Sequence, residues 1–179
     1  MQNIQLLFGE CLDKLTEISD NSVNMIMADL PYGTTACKWD SIIPLEPLWK
    51  ELKRVTTNNA AMVFTAQQPF TTALAASNLD DFRYEWIWEK PQGTNPMNAK
   101  IMPLKSHENA KSKHRDNPEG SRYPKTILKF KQEKGFHPTQ KPVSLMEYLI
   151  KTYTNEEDTV LDPTMGSGTT GVACVNTNR

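Results

Sequence analysis

The amino-acid sequence predicts an α/β fold built on a mostly parallel sheet. Short apolar runs alternate with stretches of helical spacing along most of its 179 residues, the pattern of strands joined by crossover helices. The apolar runs stop at Gly or Pro, as at Gly9 and Pro31, where a chain leaves a hydrogen-bonded ladder. A turn carrying Gly166 and Gly168 separates a short apolar run from a helical one. Such a turn lets a ligand approach the backbone and the free N–H groups of a helix start.

Each element follows from its local pattern. Ile4 to Phe8 is short, apolar and closed by Gly9, and predicts a buried strand. Cys11, Leu12, Leu15 and Ile18 share one face of a helix. Val23 to Ala28 predicts a second strand, and Leu45 to Val55 a helix followed by a turn at Asn58-Asn59. Ala60 to Thr65 predicts a third strand, and a helix starts near Pro69, a residue tolerated in a first turn. Tyr84 to Trp88 alternates as a strand does, with Trp86 and Trp88 read as sheet packing. From Pro91 to Gly135 the periodicity fades into Pro, Gly, Asn and Lys, which predicts an insertion. Pro142 to Tyr153 then predicts a helix, Thr159 to Leu161 a short strand, and Thr169 to Val175 the start of another helix.

Charge is unevenly distributed. Between Lys100 and Lys134 ten Lys or Arg face four Asp or Glu, whereas the rest of the chain has ten basic and seventeen acidic residues. A basic segment in an acidic body suits a phosphate backbone, and equally suits a solvated loop. No apolar run approaches the ~20 residues that span a bilayer, and the N-terminus lacks the regions of a secretory signal. The three cysteines, Cys11, Cys37 and Cys174, form no CxxC pair. That argues for a reducing, cytoplasmic setting and against structural zinc. Neither a membrane nor a metal partner is expected.

Three motifs carry chemistry. Asp29-Leu30-Pro31-Tyr32 closes a strand, at the sheet edge where open α/β folds bind ligands. It offers a carboxylate, a carbonyl stiffened by the following proline, and an aromatic face, the parts needed to hold an amino group on a flat ring. The same residues also suit a tight turn with a packed tyrosine. Asp162-Pro163-Thr164-Met165-Gly166-Ser167-Gly168-Thr169-Thr170 is a strand-to-helix turn. Without Lys after Gly168 it is no phosphate-binding P-loop, and a plain tight turn remains open. His137-Pro138-Thr139-Gln140-Lys141-Pro142 leads into a helix. His137 has no second histidine at ligand spacing.

In this order the motifs resemble the β group of DNA amino-methyltransferases of bacteria and their phages. That family has an Asp, Asn or Ser followed by two prolines and an aromatic, then a target-recognition insertion, an HPTxKP-type segment and a DPFxGSGTT loop. Here they stand as DLPY, the basic stretch, HPTQKP and DPTMGSGTT, a likeness over nearly the whole chain. The resemblance implies a Rossmann-like S-adenosylmethionine-dependent methyltransferase sheet with the catalytic half before the cofactor half. Residues 1–94 would be the catalytic half, 95–135 the target-recognition insertion, and 136–179 a cofactor half incomplete at its C-terminus.

It also implies roles. Asp162 would contact the amino group of the methionine part of S-adenosylmethionine. Pro163, Thr164 and the backbone from Gly166 to Gly168 would lie along the cofactor, with Ser167 and Thr169 as polar contacts. Lys141 and Pro142 would close the methionine end. Glu10 would reach the adenine of the cofactor, or else cap the next helix. Asp29 and the Leu30 carbonyl, stiffened by Pro31, would hold the target amino group while Tyr32 stacks on a base flipped from double-stranded DNA. Transfer is direct, so Cys37 is not expected as a nucleophile. Lys111, Lys113, Arg115 and Arg122 would contact DNA.

Asp at the first motif position is typical of adenine-N6 enzymes. Cytosine-N4 methylation, or DNA binding without turnover, is the alternative. A homodimer and a paired restriction enzyme are left open. Leu30 replaces a proline, without loss because the acceptor is a carbonyl. Thr164 replaces a phenylalanine, implying weaker cofactor binding. Relatives carry an apolar strand after Asn109 and a further strand beyond the point where this sequence ends, so segments are expected to be missing at both places.

Overall fold

In β1 (Val23–Asp29) successive side chains point to opposite faces, and both faces are apolar. Met25 and Met27 belong to one core cluster, Ile26 and Ala28 to the other. A strand buried on both sides requires a layer on each, and the chain supplies them. The computed structural model describes residues 4–35, 37, 40–94, 105–112, 126–133 and 140–179.

On one face lie α1 (Cys11–Thr16), α2 (Leu45–Val55) and α3 (Phe70–Ala76). Leu48, Leu52 and Val55, on one stripe of α2, are fully buried against Ile26, Met62 and Phe64. Trp49 meets Phe64 edge-on at 5.2 Å and donates its indole N–H to Ser77 Oγ at 2.8 Å. On the other face lie α4 (Val143–Tyr153) and α5 (Thr169–Thr177). Leu145, Met146, Leu149, Ile150 and Tyr153 form the inward stripe of α4, and each fully buried aliphatic side chain contributes ~1.5–3 kcal/mol. The Tyr153 hydroxyl accepts the Trp86 indole N–H at 2.6 Å, so Trp86 packs within the sheet layer, as does Trp88.

The remaining strands are β2 (Thr56–Ala66), β3 (Tyr84–Thr94), β4 (Lys105–Ser112), β5 (Ile127–Lys129) and β6 (Val160–Leu161). Among the described residues they form one sheet in the order β5-β3-β4-β2-β1-β6. β1 is parallel to β2 and β6, and β3 is parallel to β5. β4 is antiparallel to both β2 and β3, so the sheet is mixed.

Three local expectations are corrected. Ile4 to Phe8 forms no strand, and Leu6 and Phe8 are exposed. A short apolar run yields a strand only with a ladder partner, and among the described residues β6 is the sheet edge on that side. Asn58-Asn59 is no turn but lies inside β2, which starts directly after α2. Residues 105–112, inside the stretch of faded periodicity, form the strand between β3 and β2. The polar run after Asn109 continues that ladder, because strands on both sides supply partners and pairing overrides composition.

Candidate active site

β1 and β6 run parallel with Ile26 beside Leu161. Asp29 ends β1, Asp162 follows β6, and both therefore leave the sheet on one rim. The two loops touch there: the Thr164 hydroxyl donates to the main-chain oxygen of Asp29 at 3.1 Å. The phenylalanine that the resemblance expects at 164 could not make this bond.

Between the loops opens a cavity of about 820 Å³. It is lined by Asp29, Leu30, Pro31 and Tyr32 from the first motif, and by Asp162, Pro163, Thr164, Gly166, Ser167 and Thr169 from the second. Lys141 and Glu10 also face it. Gly168 and Pro142 are not among the lining residues; they are the N-cap residues of α5 and α4. Gly168 has φ of +79°, a left-handed conformation that a Cβ disfavours, although a Cβ there would meet nothing within 4 Å. Backbone conformation and not crowding asks for glycine. Glu10 is the N-cap residue of α1 but makes no side-chain cap bond. The helix-capping alternative for Glu10 is thus unfilled.

Among the described residues, the hydrogen-bond partners of Asp162 are neutral. It accepts from the Thr170 hydroxyl at 2.6 Å and the Thr164 N–H at 3.0 Å. Burial pushes its carboxyl up to about 6, the two donors pull it back, and the negative charge of Asp29 adds to the rise.

Asp29 is held differently. Its Oδ1 accepts from the Tyr32 hydroxyl at 2.6 Å and from the Thr65 hydroxyl, and its Oδ2 from Lys141 Nζ at 2.6 Å. The same ammonium lies 3.1 Å from Glu108 Oε1, and Glu108 Oε2 is 3.0 Å from Lys90 Nζ. Lys141 and Glu108 have side chains only 9% and 4% exposed, so this ionic chain is screened little by water. Burial works against the charge of Glu108, but Lys141 and then Lys90 hold its carboxyl below the usual range. Burial likewise opposes the charge of Lys141, and Asp29 and Glu108 raise its ammonium above the ordinary value. Burial, then Asp29 and Glu108, push the Tyr32 phenol far up, so it remains a neutral donor. Its ring stacks on Phe70 at 5.4 Å, which occupies one face.

The loop after the first motif is tied by Asp40, whose carboxylate accepts the N–H groups of Gly33, Thr34 and Thr35 at 2.7–2.9 Å. Burial alone would raise its carboxyl, but the Thr35 hydroxyl and these N–H donors keep it below the ordinary value.

Sequence reasoning missed Thr65, Lys90, Glu108 and Asp40. A charged residue in a strand reads as solvated unless its cross-strand neighbours are known, and Glu108 lies in a strand whose existence was itself unexpected. Of the expected DNA contacts, Lys113, Arg115 and Arg122 lie outside the described residues, as do His137, Pro138 and Thr139. Lys111 belongs to β4, its backbone paired with Phe64 and Glu85. Among the described residues no group of three or more His, Cys, Asp or Glu is placed to hold a metal, and no helix is long and apolar enough to cross a membrane.

The chain is similar to known proteins in sequence and in fold. A family model described as DNA methylase matches residues 95–179. The type II methyltransferase M2.MboI of Moraxella bovis is 24% identical over 99% of this chain and 81% of its own length. The crystal structure of the M1.HpyAVI–SAM complex superposes with a TM-score of 0.74 at 28% identity, covering 98% of this chain and 90% of that one. The cytosine-N4-specific PvuII DNA methyltransferase shares the fold, with a TM-score of 0.76 at 16% identity over 96% of this chain and 77% of that one.

Proposed function

Since the chain belongs to the N6/N4 family of DNA amino-methyltransferases, we propose that it transfers the methyl group of S-adenosylmethionine to the exocyclic nitrogen of adenine in DNA. The observation that carries this reading is the juxtaposition of Asp29 and Asp162 on one rim, around one cavity.

The cavity suits the cofactor on two counts. Its volume of about 820 Å³ lies in the range of small-molecule sites. Its half-buried Asp162 has a charge that desolvation penalises and that a ligand ammonium would relieve. Asp162 would hold the amino group of the methionine part. The loop from Pro163 through Thr164, Gly166, Ser167 and Gly168 to Thr169 would lie beside the cofactor. Glu10 would face its far end, and Pro142 would fix the helix start behind Lys141. S-adenosylmethionine supplies an electrophilic methyl group on a sulfonium.

The chain's own residues do the positioning. A carboxylate has about four acceptor directions, and Asp29 uses three, for Tyr32, Thr65 and Lys141. One direction on Oδ2 remains for an N–H of the target amino group, and the Leu30 carbonyl takes the other N–H. Both hydrogens in the ring plane leave the nitrogen lone pair directed at the methyl. Tyr32, which lines the cavity, would support the flipped base, at a flipping cost of a few kcal/mol. Such alignment and preorganised charge account for direct transfer without a covalent intermediate.

Residues 1–94 and 136–179 would then be the catalytic and cofactor halves. The basic stretch 95–135, with Lys111, Lys113, Arg115 and Arg122, would contact the phosphates of double-stranded DNA. Treating DNA with the protein and S-adenosylmethionine, then digesting to nucleosides, tests the reading. N6-methyladenine is expected. N4-methylcytosine would move the target to the other base, and unmodified DNA under all conditions would remove the reading.

A further inference from the structure

Resting on that reading, we propose that Glu108 is a positioning residue for methyl transfer, acting through Lys141 and Tyr32. Asp29, Lys141, Glu108 and Lys90 form an alternating chain of two carboxylates and two ammoniums, drawn from β1, the segment before α4, β4 and β3. The chain is neutral as a whole, which lets Lys141, Glu108 and Lys90 sit buried while Asp29 stays partly open to solvent.

Glu108 is its hinge. Its Oε1 lies 3.1 Å from Lys141 Nζ and 3.1 Å from the Tyr32 hydroxyl, the two groups that also touch Asp29. Its Oε2 is held by Lys90 at 3.0 Å, with the Gln67 amide at 3.4 Å. Lys90 in turn sits 5.1 Å from the centre of the Trp88 ring. The carboxylate is therefore fixed from behind and presents one oxygen toward the site. Shared between two carboxylates, the Lys141 ammonium pulls only partly on Asp29, whose remaining acceptor direction stays available to a target amino group. Without Glu108 the ammonium has Asp29 alone, binds it fully, and drains the acceptor strength that would hold the target N–H. Among the described residues the groups that face Lys141 are Asp29 from β1, Tyr32 beyond it and Glu108 from β4; Lys90 acts through Glu108, and Asp162 through Asp29.

Glu108→Gln keeps the shape and removes the charge. The expected result is a fall in kcat of about 10- to 100-fold, with KM for S-adenosylmethionine within about twofold. Lys141, followed by nitrogen-15 NMR of its ammonium, should lose its proton at lower pH than in the wild type, and the alkaline limb of kcat should move with it. Because this variant breaks the Lys90 ion pair and costs stability, the double variant Lys90→Met, Glu108→Gln provides the control. It restores neutrality, so folding should recover while the kcat deficit and the earlier titration persist. Recovery of kcat in the double variant would reduce Glu108 to a structural partner of Lys90 and overturn the proposal. An active wild type with Glu108→Gln unchanged in kcat and in Lys141 titration would overturn it alone. A wild type that methylates no DNA would overturn the proposed function and this inference together.

Discussion

Asp29 and Asp162 stand on the same rim yet are built in opposite ways. Asp29 is paired with an ammonium and two hydroxyls, and its charge is compensated before any ligand arrives. Asp162 is bonded, among the described residues, to a hydroxyl and an N–H, and its carboxyl is pushed up to about 6 by burial. A compensated carboxylate suits a partner that brings no charge, such as a neutral amino group on a base. An uncompensated one suits a partner that brings its own positive charge. Under the proposed function, this contrast would give the two acids different ligands.

The strongest way to break the comparison is Asp29→Ala. Losing the acceptor in the reacting position should lower kcat by about 100- to 1,000-fold, while the Kd for S-adenosylmethionine measured by calorimetry stays within about threefold. An equal loss in cofactor affinity would mean that the two acids do not divide the work. Asp162→Asn should do the reverse. Losing a charge-assisted bond of ~1.5–3 kcal/mol raises the cofactor Kd about 10- to 100-fold, with kcat at saturating cofactor little changed.

Acidity sharpens the same contrast with a smaller effect. Because the folded-state carboxyl of Asp162 is raised above its unfolded value, its contribution to stability is fully present below about pH 4 and lost as pH rises through about 6. A bound ammonium reverses that loss. Stabilisation by S-adenosylmethionine, read as a shift in Tm, should therefore be larger at pH 7.5 than at pH 5, where affinity should be about tenfold weaker. In Asp162→Asn that dependence on pH should vanish.

Much of this site was legible in the sequence because it depends on local signals. Pro31 after an apolar run marks the end of β1, and two glycines after Val160-Leu161 mark a loop into α5. In a parallel pair, loops at the same chain sense lie on the same rim. Glu108 and Lys90 were not legible. Each is a charged residue in a polar stretch, and their burial depends on β4 filling the gap between β2 and β3. The same blindness made Ile4 to Phe8 look like a strand, since a short apolar run records a side chain's preference and not whether a ladder partner exists.

By itself the amino-acid order determined β1, α2, α4 and the two loops that carry Asp29 and Asp162, because periodicity and turn chemistry act over a few residues. Tertiary structure alone decided which charges meet: Lys141 reaches Asp29 across 112 positions, and Glu108 is buried between two lysines. Ion pairing falls off over a few ångströms in space and is indifferent to separation along the chain, so only the folded arrangement of strands could specify it.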